Sequence, residues 1–430
     1  MKSTNVEKTT DYLAQAKELE KLGQEQEALA LYAKALEINA SNIAIHQAKG
    51  SLHFNQKDYK DAKNSYQKAV ELGSSVPWVR FRLGRIAQIQ NQHDVAIAYF
   101  KEAIALNPKN INFYPACAKS YLQQNQTQKA AACCEQAIAL DPTMPRLYEQ
   151  LGDIQYAQAE FSKAKSNYAK AIELGSQIPR NHFQLGQIAQ KEDRHREAIA
   201  HFKEAINLNP NNLAFYMEWG KSCQSLKWFE QAISVYQQAI SINSEAPNPY
   251  QALGTLYFSQ NQLPAAKDNY ILAIEKGSKA PLPRFHLGKI AQEQGESDAA
   301  YRWYQEAIAL NPNNAQFHYY LGTLQAQQSD TASARASYTK SLDINPKFKP
   351  ALDAIDALSF INDPLNNSLA NILPTTSNLS TSGQDVLAKE QLSAFSSPPS
   401  APSETVRKDN KTSDKTTFPS LLKRILKRFR

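Results

Sequence analysis

Little in this chain points to chemistry. Its 430 residues include only four cysteines, Cys117, Cys133, Cys134 and Cys223, with no CxxC spacing and no small disulfide framework. That excludes a stapled secreted domain and fits a reducing, cytoplasmic setting. No stretch holds the ~18 consecutive apolar residues that a membrane span needs. The opening segment, MKSTNVEKTTDYLAQAKELE, has no apolar core of a secretory signal. Phosphate loops, HExxH, dinucleotide fingerprints and nucleophile elbows are all missing, and the eight histidines stand without ligand spacing. A non-catalytic protein is expected, with no metal, no cofactor and no small-molecule substrate.

Net charge is missing from most of the chain as well. The total is +7, yet nine basic and two acidic residues follow Glu404, while the preceding 404 residues hold 39 of each sign. A nucleic-acid binder needs a basic stripe over its folded part, so no nucleic acid is expected as a partner. Glycine is scarce too, 14 in all, but eight of them recur in one register.

That register is a 34-residue period. The stretch PWVRFRLGRIAQIQNQHDVAIAYFKEAIALNPKN, Pro77 to Asn110, returns without insertion in ten windows that start at Thr9 and end at Phe348. Residues 1–8 are a polar lead-in. Each window carries two segments with apolar residues at i, i+3, i+4 and i+7, joined by a short polar link, and so reads as a helix–turn–helix hairpin. Position 20 is Ala in all ten windows, and position 8 is Gly or Ala (Gly84, Gly186 and Gly288 among the glycines, Ala16 and Ala118 the exceptions). Gly inside a helix costs about 1 kcal/mol against Ala, so its recurrence requires close packing. Position 24 is aromatic in nine windows, for example Phe100, Phe202 and Tyr304, and position 27 is Ala except for Ser341. Pro108, Pro142, Pro210, Pro312 and Pro346 mark window ends. Gly73-Ser74, Gly175-Ser176 and Gly277-Ser278 replace that signal in windows two, five and eight.

Small at 8, Ala at 20, aromatic at 24, Ala at 27 and Pro at 32 closely resemble the tetratricopeptide repeat (TPR) family. The resemblance covers Thr9 to Phe348, about four-fifths of the chain. It implies an all-α, right-handed superhelical α-solenoid of ten hairpins. Departures are Arg80, His182 and Arg284 at the Trp-type position 4, and Pro115 early in the fourth window, expected to distort the first turn there. A second period of 102 residues, or three windows, links FRLGRIAQ (81–88), FQLGQIAQ (183–190) and FHLGKIAQ (285–292). The segment 349–359 reads as a capping helix. Residues 360–417, rich in Ser, Thr, Pro and Asn, read as disordered linker.

In proteins similar to this one the first helices line a concave groove. The stripe at positions 5, 9 and 12 reads Phe81-Arg85-Gln88, Phe183-Gln187-Gln190 and Phe285-Lys289-Gln292, with Lys119 and Lys221 at position 9 of neighbouring windows. Aromatic anchors, amides and a broken basic ladder suit an extended, acidic peptide segment. The opposing reading, that the likeness is a relic of cassette duplication, stands beside it. Position 6 holds Arg82, Gln150, Gln184, Glu218 and His286 where the sugar-transferring relatives would place Asn, and no window set matches a carboxylate clamp. The cysteines are expected to be inert packing residues, Cys134 in the aromatic slot and Cys117 and Cys223 among first-helix packing positions.

The chain ends in FPSLLKRILKRFR, residues 418–430. Leu421, Leu422, Ile425, Leu426 and Phe429 fall on one helical face, and Lys423, Arg424, Lys427 and Arg428 on the other. Such a helix suits an anionic membrane surface at the inner face, a partner-docking role, or a solubilising tail. The function expected is a protein–protein interaction scaffold or adaptor that takes protein or peptide segments. The alternative is a substrate-recognition or regulatory subunit of a glycosyl- or methyltransferase acting in trans.

Overall fold

The computed structural model describes residues 2–361, with side chains from Val6 to Leu358. The chain divides into Met1–Leu358 and Ser359–Arg430. The expected linker and the basic helix at 418–430 lie outside the described residues. Among those described, the fold is an all-α solenoid of 21 helices. Each window is one hairpin, as in Pro77–Ile89 with His93–Leu106 and Pro179–Lys191 with His195–Leu208. The two helices of a window pack on each other, and the second packs on the first helix of the next window. The lead-in joins the first helix, which runs from Lys2 to Lys21. The cap is the helix Lys349–Ile361, whose Ala351 and Leu358 pack with Tyr338.

The invariant residues meet inside each hairpin. A Cβ added to Gly220 would lie 2.3 Å from Tyr236 Cε1, and one on Gly186 would lie 2.4 Å from Phe202 Cε1. Position 8 is bare because the position-24 ring lies directly on the helix backbone. Those rings are fully buried, as are the position-20 and position-27 alanines that flank them. In window four the pair is reversed in size: Ala118 carries the Cβ and Cys134 replaces the ring. The first window keeps Ala16 beside Tyr32, a pairing the other hairpins do not explain. Ser341, the one departure at position 27, is fully buried and donates its hydroxyl to Ala315 O at 2.8 Å. The added oxygen is thereby satisfied.

Position 15, in the link between the two helices, has positive φ in all ten windows. Only Gly23 and Gly295 are glycines there; the others are Lys57, Asn91, Asn125, Ala159, Asp193, Lys227, Asn261 and Ser329. The next residue closes the first helix with a long-reach hydrogen bond, such as Gln92 N to Ala87 O and Arg194 N to Ala189 O, both 2.8 Å. Hairpin closure imposes the left-handed residue whatever its side chain. The cassette boundaries use glycine for the same geometry, with Gly73, Gly175 and Gly277 at φ 92°, 93° and 86°. The buried serines that follow bond back to the first helix of their own window: Gln47 donates to Ser74 Oγ at 2.7 Å, and Ser176 Oγ donates to Glu149 at 2.5 Å. Pro115 distorts its turn as expected. The first helix of window four starts only at Phe113, after Phe113 N and Tyr114 N bond three residues back, each at 3.3 Å.

The ring-on-backbone contact predicts opposite costs at one register. Gly220→Ala gains about 1 kcal/mol of helix propensity but forces a methyl into the buried Tyr236 ring, and overpacking of this kind costs typically 1–3 kcal/mol. Net destabilisation is expected, read as a lower urea midpoint of the full chain. Ala118→Gly should lose only the propensity, about 1 kcal/mol, and Ala118→Gly combined with Cys134→Tyr should recover it. An unchanged or raised midpoint for Gly220→Ala would contradict the packing account.

Candidate functional site

First helices of successive windows touch one another in windows three and four, six and seven, and eight to ten. The stripe residues therefore fall on neighbouring helices, but they play different parts. Phe81 packs against Phe100 and Phe113, with ring centroids 5.6 and 5.1 Å away. Phe183 repeats this against Phe202 and Phe215 at 5.8 and 5.0 Å. Phe285 is 3% exposed and contacts Tyr304, Phe317 and Tyr320. These three rings bridge one hairpin to the next. They are packing residues, and truncating them would open cavities in the stack.

The glutamines also join windows. Gln88 donates to Ala116 O at 3.1 Å and Ser120 Oγ at 2.8 Å; Gln190 donates to Glu218 O at 3.0 Å and Ser222 Oγ at 2.9 Å. In the third cassette Leu324 replaces the serine. Gln292 instead donates to Gln327 at 2.8 Å and accepts from Tyr304 at 2.6 Å. Gln187 accepts from Tyr156 of the preceding window at 3.1 Å.

The cations are the accessible part of the stripe. Lys119 and Lys221 are exposed, each next to the serine that holds the Gln clamp. Lys221 also pairs with Glu218 at 2.6 Å, a surface ion pair worth little. Arg85 is half-buried. Lys289 Nζ lies 5.2 Å from the Phe258 ring and 5.0 Å from Tyr320, and burial pulls its ammonium below the usual lysine range. Asp153, the acid in this register, is occupied by the Tyr168 hydroxyl at 2.8 Å and by Arg180.

Position 4 has a clear structural role. Tyr114, Tyr148, Tyr216 and Tyr250 each donate to the carbonyl six residues back, at 2.7 to 3.2 Å. Arg80 and Arg284 do the same to Ser74 O and Ser278 O and add ion pairs to Glu102 and Glu306 at 3.5 and 3.0 Å. The arginines thus replace one donor by another. His182 turns instead to His201, with the two Nδ1 atoms 3.4 Å apart.

Sequence spacing gave no hint of this histidine pair, which only the hairpin brings together. Burial, then the neighbouring His182, pulls His201 down to about 4; burial likewise lowers His182. His286, stacked on Tyr270 at 5.3 Å, is pulled down to about 4 by burial, with Lys289 adding to the shift. The His53, Asp58 and Asp61 ligand atoms lie within 4.8 Å of one another. Asp58, however, spends one oxygen capping its helix at Asp61 N, and the positive end of that helix opposes a cation. No helix among the described residues is long and apolar enough to cross a membrane.

Family profiles described as TPR repeat match residues 118–159 and 288–329, and profiles described as tetratricopeptide repeat match 12–42, 48–111, 179–212 and 213–245. The chain belongs to the tetratricopeptide repeat family. Among curated relatives of this TPR chain, anaphase-promoting complex subunit 3 of Schizosaccharomyces pombe is 26% identical over 103 residues. The match spans 24% of this chain and 16% of that protein. Among solved structures, yeast Tom70 is 15% identical with a TM-score of 0.43, covering 85% of this chain and 99% of that one. In the APC/C hetero-tetramer Cut9-Hcn1 the values are 14%, 0.42, 81% and 90%. For MamA they are 19%, 0.38, 39% and 92%.

The buried histidines of these TPR hairpins predict acid sensitivity. A folded pKa below the free value of 6.5 means that the unfolded chain binds more protons, so stability falls as pH drops below 6.5 until the folded group itself titrates near 4. At pH 5 the penalty is about 2 kcal/mol for an imidazole such as His286. Urea unfolding of the full chain should show lower stability at pH 5 than at pH 7.5, and His286→Phe should flatten that slope. A slope that His286→Phe leaves intact would show that this imidazole is not held neutral.

Proposed function

We propose that this TPR chain is a non-catalytic interaction scaffold whose first helices hold extended, acidic protein segments. The observation that carries the reading is the recurrence of one arrangement 102 residues apart. A glutamine locks two first helices together, and an exposed lysine stands beside the lock, as Gln88 with Lys119 and again as Gln190 with Lys221. With Arg85 and Lys289 in the same register, the row is cationic and its one acid, Asp153, is already paired. Membership of the family supports a protein ligand, and the charge supports an acidic one. The bridging phenylalanines set the spacing of the helices, and the polar side chains take up the ligand.

Charge reversal at exposed sites tests this without disturbing the stack. Fluorescence anisotropy of a labelled Asp/Glu-rich decapeptide should give about tenfold weaker binding to Lys119→Glu/Lys221→Glu, or about 1.4 kcal/mol. Binding of the native chain should also weaken with salt. Equal retention of acidic and basic peptides by the native chain would overturn the reading.

For the terminal segment 418–430, we propose contact with an anionic membrane surface. Each basic residue near such a surface contributes roughly 1 kcal/mol, and the segment carries five, Lys423, Arg424, Lys427, Arg428 and Arg430, with no acidic residue. Co-sedimentation with phosphatidylserine vesicles should be strong for the full chain and lost in a chain ending at Thr417. Equal pelleting of the two would remove the tether.

A further inference from the structure

The cysteines, expected to be uniformly inert, divide into two kinds. Cys134 is fully buried against the Ala118 helix and burial pushes its thiol up to about 12; Cys223 is pushed up to about 11. Cys117 and Cys133 are also buried, 1% and 8% exposed, but they share one cavity. They sit on the facing helices Phe113–Gln123 and Thr127–Leu140 of the fourth hairpin, and each sulfur shifts the ionisation of the other. Both line a cavity of about 340 Å³ whose other walls include Lys101, Tyr121, Lys129 and Gln136. Lys101, Lys129 and Gln136 are exposed, so the cavity opens to solvent. The two ammonium groups lie 6.0 and 5.8 Å from the Tyr121 ring, which places two positive charges at the mouth.

These features favour a thiolate at Cys133. The neighbouring Cys117 thiol and then the charge of Lys101 lower its pKa, and they outweigh the opposing effect of burial. The neighbouring Cys133 and then burial hold Cys117 protonated. An electropositive opening onto one activated sulfur, with a second thiol lining the same cavity, is the environment in which cysteines react selectively. Nothing in the peptide-binding reading uses this hairpin's thiols, and packing alone does not require two of them on one cavity.

We propose that Cys133 and Cys117 form a hydroperoxide-responsive pair, in which Cys133 is oxidised first and Cys117 then closes a disulfide between the two helices of the fourth hairpin. In the first step the Cys133 thiolate attacks the terminal oxygen of the hydroperoxide. An S–O bond forms, the O–O bond breaks, and two electrons pass from sulfur to oxygen. The leaving hydroxide or alkoxide takes a proton from water. In the second step the Cys117 sulfur displaces the hydroxyl of the sulfenic acid. The S–S bond forms, the S–O bond breaks, and the Cys117 proton leaves with hydroxide as water. A dithiol reductant reverses the bridge by exchange.

The test treats the reduced full chain with one equivalent of hydrogen peroxide and reads intact mass and disulfide-mapped peptides. Loss of two hydrogens and a Cys117–Cys133 linked peptide are expected. In Cys117→Ser, a dimedone adduct should accumulate on Cys133. Before oxidation, iodoacetamide should label Cys133 at least tenfold faster than Cys134 or Cys223. Lys101→Gln, at an exposed site, should slow that labelling severalfold while leaving the other cysteines unchanged, and it keeps the test independent of how well the cysteine variants fold. Labelling of Cys133 no faster than Cys134, or oxidation that yields no Cys117–Cys133 link in the native chain, would overturn the proposal.

Discussion

An aromatic ring lying on the bare backbone of a neighbouring helix is the contact on which eight of the ten hairpins depend. With hydrogen at position 8, the ring at position 24 approaches until a Cβ would stand only 2.3 to 2.9 Å away. The ring fixes the separation of the two helices. The alanines at positions 20 and 27 let it seat. The left-handed residue at position 15 then follows from closing the chain over that distance. Because each hairpin buries one face on its successor, the geometry of the pair sets the geometry of the stack. Window four shows the contact has two solutions, glycine with a ring or alanine with a cysteine.

Between hairpins the linkage is polar as well as apolar. The position-4 donor reaches the carbonyl six residues back in hydroxyl, guanidinium and imidazole versions, so its chemistry can vary while the bond persists. Carbonyls near the end of one helix are thereby satisfied by the start of the next. The Gln88 and Gln190 locks act deeper, between first helices. Where Leu324 removes the receiving hydroxyl, Gln292 finds Gln327 and Tyr304. A buried amide has to find partners, and the third cassette supplies different ones.

The hairpins, their boundaries and the cap were legible because their causes are periodic. Gly at 8 in eight windows, Ala at 20 in ten and an aromatic at 24 in nine state one packing rule repeatedly. Pro115 announced its late helix start for a local steric reason. The left-handed turn was not legible: Lys227 and Ala159 carry no local preference for that conformation, and tertiary closure imposes it. The histidine pair was equally hidden, since positions 4 and 23 face each other only once the hairpin is built. The same holds for Cys117 and Cys133, where spacing along the chain says nothing about contact across it. The expected site divided along similar lines. Its Lys119 and Lys221 stand in the open and Lys289 is partly covered, but its phenylalanines belong to the stack, because an apolar ring at position 5 gains more from the gap between hairpins than from solvent.

That division bears on how function is distributed in an array of this kind. The large, conspicuous side chains are consumed by packing, since only they can fill the space between straight helices at regular spacing. What remains for recognition is charge and hydrogen bonding along a surface that the core holds rigid. Such groups cost little to alter: replacing Lys119 removes no buried area, while replacing Phe183 unseats Phe202 and Phe215. Under the proposed reading, ligand preference could drift without loss of fold, and a cassette copied for its packing would bring with it a polar row that later substitutions could retune. The sequence of polar residues, Arg85 and Lys119, then Gln187 and Lys221, then Lys289, is what such retuning would leave, and the unchanged glycines and rings beneath it are what made it tolerable.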